Sequence, residues 1–311
     1  MEVALVTMTS DAAQLRPFVD FHLNAGVAQI LILAELECDD LFEDERVSVV
    51  VVDEEIESMW ADWPRIRKLA ETEPRARHLL NLELAMQMAR TSEMDWLLHV
   101  GCDELLHVPD GSIPDYLAAC DADIGQVTFA GVEGVPEAST VLEPFREVTF
   151  FLRSRSDLPE RDRRWLHGRR WFDGSEQGRS CIRLVATVRP ASPHVFHIVD
   201  GKHKTLAVTD ACILSYATTQ LEKLRARFGA RCRTNENWYG HLPLDQMIID
   251  DIIEARAMFS EGDDRASAGF FDRRFVMSPS SAEECIERGL GCRIVEPSRF
   301  FTDRADRSRP S

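Results

Sequence analysis

Asp103 and Glu104 stand side by side between two apolar runs, in the stretch DWLLHVGCDELLHV from Asp95 to Val108. The run Trp96 to Val100 reads as a buried strand, stopped by Gly101. Ligands of open α/β sheets sit beyond the C-terminal ends of such strands. Carboxylates at that place suit a hard cation, because Mg²⁺ and Mn²⁺ are commonly held by one or two carboxylates plus substrate phosphate oxygens. The cation then neutralises charge on a departing diphosphate. In extended chain, positions 101 and 103 point one way and position 104 the other. Asp103 and Glu104 are therefore not expected to act as a simple pair. Asp103 is the candidate for the diphosphate and metal; Glu104 is expected to orient a loop or touch a donor.

The elements that must position this turn follow from apolar patterning. VALVTM (Val3–Met8), QILILA (Gln29–Ala34), VSVVVVD (Val47–Asp53) and WLLHV (Trp96–Val100) read as strands. Ser10 or Asp11 caps a helix running to Asn24 and ended by Gly26. Its face carries Leu15, Phe18, Val19 and His22, with His22 read as a hydrogen-bonded core histidine. Pro74 opens a long helix before the fourth strand. Short apolar runs without strict alternation predict a mainly parallel sheet covered by helices on both faces. Further on, IGQVTFAGV and EVTFFLRS read as strands. SCIRLVATV and PHVFHIV are expected to pair as a later sheet. From Thr218 the pattern turns helical, and the last residues are polar.

Composition removes several classes. The net charge of −17 over 311 residues argues against non-specific nucleic-acid or anionic-membrane binding, which rests on Lys and Arg. The eight cysteines include no Cys-x-x-Cys pair, so a zinc ribbon is not expected. No signal peptide or membrane span is legible, and reduced thiols in a cytoplasmic protein are the expectation. The turn TSDAAQ after the first strand lacks glycine, and there is no G-x-G-x-x-G or G-x-x-x-x-G-K-[ST]. H-E-x-x-H and G-x-S-x-G are also missing.

The acidic segment resembles the GT-A glycosyltransferases, specifically the family-2-like group with a W-hydrophobic-hydrophobic-x-x-D-x-D-E-F-hydrophobic segment. Trp96, Leu97, Leu98, Asp103, Glu104 and Leu105 stand in its place. His22 to Gly26 is similar to a yHxxxG pattern. Asn81 matches an asparagine on the helix before the acidic turn. FAGVEGVP, GRSCIRLVATVRPASPHVFH and ILSYATTQLEKL resemble later segments in order. Two positions depart from the pattern. The first Asp of D-x-D is Gly101, and the His of an HY pair is Ser215, beside Tyr216. The opening K-N-E-like segment is altered to Thr9-Ser10-Asp11.

The resemblance implies a GT-A, Rossmann-like domain over residues 1–215, with a helical C-terminal extension over 216–311. It implies transfer of a sugar from a nucleoside-diphosphate donor, UDP-linked, to a hydroxyl, with inversion. Thr9, Asp11, Asn81, Asp103, Glu104 and Arg179 are the implied donor-binding residues. Arg179 replaces a lysine of the group and suits bidentate phosphate binding. Mn²⁺ or Mg²⁺ would bind weakly, with the donor, through Asp103. His197, His194 or His203 would stand in for the missing histidine. Glu133, Asp173 and Asp245 are the candidates for the base that deprotonates the acceptor. Trp60 and Trp63 would border the cleft. Two rivals share the sheet: a catalytically weakened nucleotide-sugar binder, and a nucleotidyltransferase or phosphohydrolase using Asp103.

Overall fold

The computed structural model describes residues 1–9, 14–34, 42–52, 56, 67–68, 70, 74–109, 112–153, 158–159, 161–162, 166, 178–192, 195–225, 264–297 and 301. The chain is mixed α/β. Its described elements are, in order, β1 (Val3–Thr9), α1 (Leu15–Asn24), β2 (Gln29–Ala34), β3 (Val47–Val51), α2 (Pro74–Thr91), β4 (Trp96–His99), β5 (Glu104–His107), α3 (Ile113–Ala118), β6 (Ile124–Gly134), α4 (Pro144–Glu147), β7 (Phe150–Arg153), β8 (Arg179–Arg183), β9 (Val188–Ser192), β10 (Val195–Ile198), β11 (Lys204–Ser215), α5 (Asp264–Arg274), α6 (Pro279–Glu287) and β12 (Gly291–Arg293). They group into two compact units. One comprises residues 1–131 and 177–213, the other residues 132–176 and 214–311. The expected division was at residue 215; in the structure, residues 132–176 group with residues 214–311. That part also contains a strand, β12, besides its helices.

In the first unit the expected parallel sheet is present. β3, β2, β1 and β4 lie side by side and parallel. β8 continues the sheet antiparallel to β4, and the first half of β6 lies antiparallel to β8. The segment read as one strand from Ser180 to Val188 is therefore two. Its first part enters the main sheet, while β9 turns back with β10 into a separate ribbon.

Alternation along the strands explains the layers. Ala4, Val6, Leu31, Leu33, Leu97 and Ile182 pack with Leu82, Ala85, Met86 and Ala89 of α2. The intervening residues Val3, Leu5, Ile30, Ile32, Trp96 and Leu98 are fully buried too, so both faces of the sheet are covered. α1 packs against β2 and β5, burying Leu15, Phe18, Val19 and His22. It starts at Gln14 without a side-chain cap; Ser10 and Asp11, read as caps, lie outside the described residues. It ends in a Schellman arrangement: Val27 N–H donates to His22 O and Gly26 N–H to Leu23 O. Gly26 takes the left-handed φ of +93° that this turn requires.

The second unit has its own core. The end of β6 pairs antiparallel with β7, and β7 with β12. Val135, Phe150, Leu152, Met277, Ala282 and Cys285 form one cluster within it. Tyr216 meets Phe145 and Phe151 edge-on. Among the described residues no helix is long and apolar enough to cross a membrane.

His22 joins α1 to the strand that follows the acidic turn. Its Nδ1 bonds Phe18 O at 3.0 Å, and its Nε2 accepts from Leu106 N–H at 3.3 Å. Only a neutral ring does both, since imidazolium has no acceptor. Burial lowers its pKa from 6.5 to about 4, against the opposing effect of the Phe18 bond. The folded-state value is depressed, so the unfolded chain takes up the proton first and stability falls as pH drops from about 6.5 towards 4. Between pH 7 and 5 the wild type should lose about 2 kcal/mol more than His22→Leu, measured by urea unfolding at each pH. Parallel losses in the two proteins would contradict a buried neutral His22.

Candidate functional site

The strand order sets where a ligand can lie. β1, β2 and β3 step outwards in one direction, and the chain then returns to place β4 on the other side of β1. The C-terminal ends of β1 and β4 are therefore a topological switch point, the place where open α/β sheets leave a crevice. Thr9 ends β1 there. The residues after His99 end β4: Val100 N–H still bonds Val6 O, and the chain then turns through Gly101 to Glu104. Cys102 Sγ approaches Thr9 Oγ1 at 3.5 Å, linking the two strand ends.

The turn is closed twice. Glu104 N–H donates to Gly101 O at 3.0 Å, and Gly101 N–H donates back to Glu104 Oε2 at 2.8 Å. The Glu104 carboxylate in turn receives Arg179 as a bidentate partner, Nε to Oε2 at 2.7 Å and the second guanidinium nitrogen to Oε1 at 2.5 Å. The two side chains are only 4% and 10% exposed. A charge-assisted bidentate pair is the arrangement that lets both charges be buried.

Asp103 differs. It is partly exposed, and its carboxylate has no hydrogen-bond or ion-pair partner among the described residues. A Cβ built on Gly101 would lie 2.8 Å from Asp103 Oδ1. The glycine thus leaves room into which the Asp103 carboxylate folds back. Among the described residues no three His, Cys, Asp or Glu side chains form a group able to hold a metal ion. Both Glu104 oxygens are engaged and Gly101 supplies no side chain, so Asp103 alone does not make a resident metal site.

The other candidates scatter. Asn81 is buried on α2, on the stripe of Ala85 and Ala89 and one turn nearer the helix N-terminus, with no hydrogen bond to its Oδ1 among the described residues. His197 lies exposed on β10, opposite Arg189 of the ribbon. His203 bonds Asp200 Oδ2 at 2.7 Å. Asp200 also accepts three backbone N–H groups, which together with His203 hold its carboxyl well below the usual range. Glu133 belongs to the other unit. It is 1% exposed and accepts a short hydrogen bond from Thr218 Oγ1. Ser215 and Tyr216, the altered HY positions, are buried in that unit as well. Asp11, Asp173, Asp245, His194, Trp60 and Trp63 lie outside the described residues.

Sequence reasoning missed three partnerships: Glu104 with Arg179, Thr218 with Glu133, and His22 with Leu106. Each joins residues 75 or more positions apart. One local signal did exist. Gly178 has φ +68° and a Cβ there would collide with the Phe129 carbonyl, so the Gly-Arg-Ser triplet marks the close approach that aims Arg179.

No family profile matches the chain. Two proteins of Arabidopsis thaliana, both named glycosyltransferase-like, are similar to it. One is 31% identical over 161 residues, 48% of this chain and 35% of that protein. The other is 26% identical over 162 residues, 48% of this chain and 30% of that protein. The chain thus spans about a third of the length of these relatives. Among solved structures, a protein from STIV aligns over 70% of this chain and 86% of its own, with a TM-score of 0.33 and 14% identity. UDP-glucose phosphorylase from Trypanosoma brucei aligns over 67% and 62%, with a TM-score of 0.25 and 9% identity. Neither superposition is close enough to carry an argument.

Breaking the buried pair on one side strands the other charge. Glu104→Leu should cost about 3–5 kcal/mol in urea unfolding. The double variant Glu104→Leu/Arg179→Met should lose less than Glu104→Leu alone. Losses that simply add would show that the two side chains do not depend on each other.

Proposed function

We propose that the chain is a GT-A-fold glycosyltransferase that moves a sugar from a nucleoside-diphosphate donor, UDP-linked, to a hydroxyl acceptor. One observation carries this reading. Asp103, a carboxylate with no partner among the described residues, stands at the switch point of parallel strands, within a turn that a buried ion pair holds shut. The likeness to glycosyltransferase-like proteins supports the same class of reaction. The donor's diphosphate would lie across the C-terminal ends of β1 and β4, beside Thr9 and Asp103.

In an inverting displacement the acceptor oxygen attacks the anomeric carbon and its proton passes to a carboxylate. The bond from that carbon to the phosphate oxygen breaks, and its electron pair leaves with the diphosphate. Glu133, Asp173 and Asp245 are the acids proposed for the proton. A Mg²⁺ or Mn²⁺ ion arriving with the donor would supply neutralisation of the leaving group. Asp103 is the protein carboxylate that would hold it. Because Gly101 contributes no ligand, water and phosphate oxygens would complete the ion's shell, which Mg²⁺ tolerates.

Titration calorimetry tests this. The protein without nucleotide should bind Mn²⁺ poorly, and UDP should bind at least tenfold more tightly with Mn²⁺ than without, an effect of about 1.4 kcal/mol or more. Asp103→Asn should remove that difference while keeping the wild-type fold. Equal, metal-independent UDP binding by both proteins would assign the diphosphate to cationic side chains instead. With a donor panel, release of UDP marks sugar transfer or slow donor hydrolysis. Pyrophosphate release marks a nucleotidyltransferase, and binding without turnover marks a weakened nucleotide-sugar binder.

A further inference from the structure

Arg179 was read as a direct phosphate ligand, yet its guanidinium is already committed. Nε and one terminal nitrogen hold both oxygens of Glu104, and the other terminal nitrogen reaches Gly178 O at 3.3 Å. To meet a phosphate it would have to leave Glu104 buried without its cation, which is the costly way to break such a pair. We infer that Arg179 and Glu104 are positioning residues that act through the Gly101–Glu104 turn to set where the Asp103 carboxylate stands. The inference rests on the reading of Asp103 as the diphosphate-side carboxylate.

The chain of contacts runs in one direction. β8 lies next to β4 in the sheet, and Gly178 brings the backbone against Phe129 just before Arg179. Arg179 is thereby fixed on a rigid strand. It fixes both oxygens of Glu104. Glu104 Oε2 then fixes Gly101 N–H at 2.8 Å, while the backbone bond from Glu104 to Gly101 closes the same turn. Asp103 sits between these two anchored residues, and its Oδ1 lies back over Gly101. Of the two acids, the buried one shapes the site and the partly exposed one is left to bind. Partners of this kind, one step removed from the ligand, commonly alter metal affinity when replaced.

The test is the gain in UDP affinity on adding Mn²⁺, measured by calorimetry. Glu104→Gln and Arg179→Met should each cut that gain about tenfold, in line with the usual effect of such second partners. UDP affinity without metal should stay within about twofold of wild type, because neither residue touches the nucleotide under this inference. Arg179→Lys, which keeps the charge but not the fork, should fall between wild type and Arg179→Met. In an Asp103→Asn background, Glu104→Gln should cause no further loss, because its effect passes through Asp103. Near-ultraviolet circular dichroism identifies any variant that fails to fold; Glu104→Gln and Arg179→Lys preserve the test should Arg179→Met do so. If Glu104→Gln tightens metal-free UDP binding, Arg179 has been freed to bind phosphate and the inference is overturned. An unchanged Mn²⁺ gain in Glu104→Gln, or a further loss on top of Asp103→Asn, overturns it too. In all these cases the wild type still binds UDP with Mn²⁺, so the proposed function stands; a wild type that binds no UDP removes both.

Discussion

The candidate site depends on one buried ion pair. Glu104 and Arg179 come from strands 75 residues apart in sequence, and neither charge is tolerable in that position without the other. Their bidentate contact does more than cancel charge. It leaves Glu104 Oε2 aimed at Gly101 N–H, so that the turn after β4 has a single shape. His22 adds a second restraint from the other side by accepting the Leu106 N–H of β5. The turn is therefore held at its beginning by a carboxylate and just beyond its end by an imidazole. An irregular segment between two apolar runs acquires the definition of a secondary-structure element.

Much of this frame was legible in the chain. β2 starts and ends at the expected residues, and β1, α1, α2 and β4 depart from expectation by one or two positions or at a cap. These elements are written locally, by short apolar runs and by Gly26. Every residue of β4 is buried, so both faces of this strand are packed. The split of Ser180–Val188 was not legible. Its apolar residues suit one long strand, and the β-turn closed by Ala186 N–H on Arg183 O contains no glycine, proline, asparagine or aspartate that would announce it. The division into two units was hidden for a related reason: each unit is built from segments separated by long stretches of chain.

Of the candidate site, the residue types were legible and the contacts were not. Two adjacent acids after a buried strand marked the place. Extended-chain alternation separated Asp103 from Glu104, and they do have different surroundings, but through a turn rather than through pleating. What could not be read was that Glu104 is already satisfied. That requires knowing that Arg179 faces it, and nothing near residue 104 in sequence announces residue 179. The same holds for Glu133, whose partner Thr218 lies 85 residues away.

These three carboxylates illustrate how surroundings divide the work among chemically similar groups. Glu104 has its lone pairs filled by a guanidinium and a backbone amide, so it has little capacity for a ligand and much for architecture. Asp103 reaches solvent beside a glycine that leaves it room, with no partner among the described residues. Glu133 is buried in the other unit and accepts a hydrogen bond from the Thr218 hydroxyl. The Glu104 setting, with both oxygens held, suits a group whose task is to shape the turn.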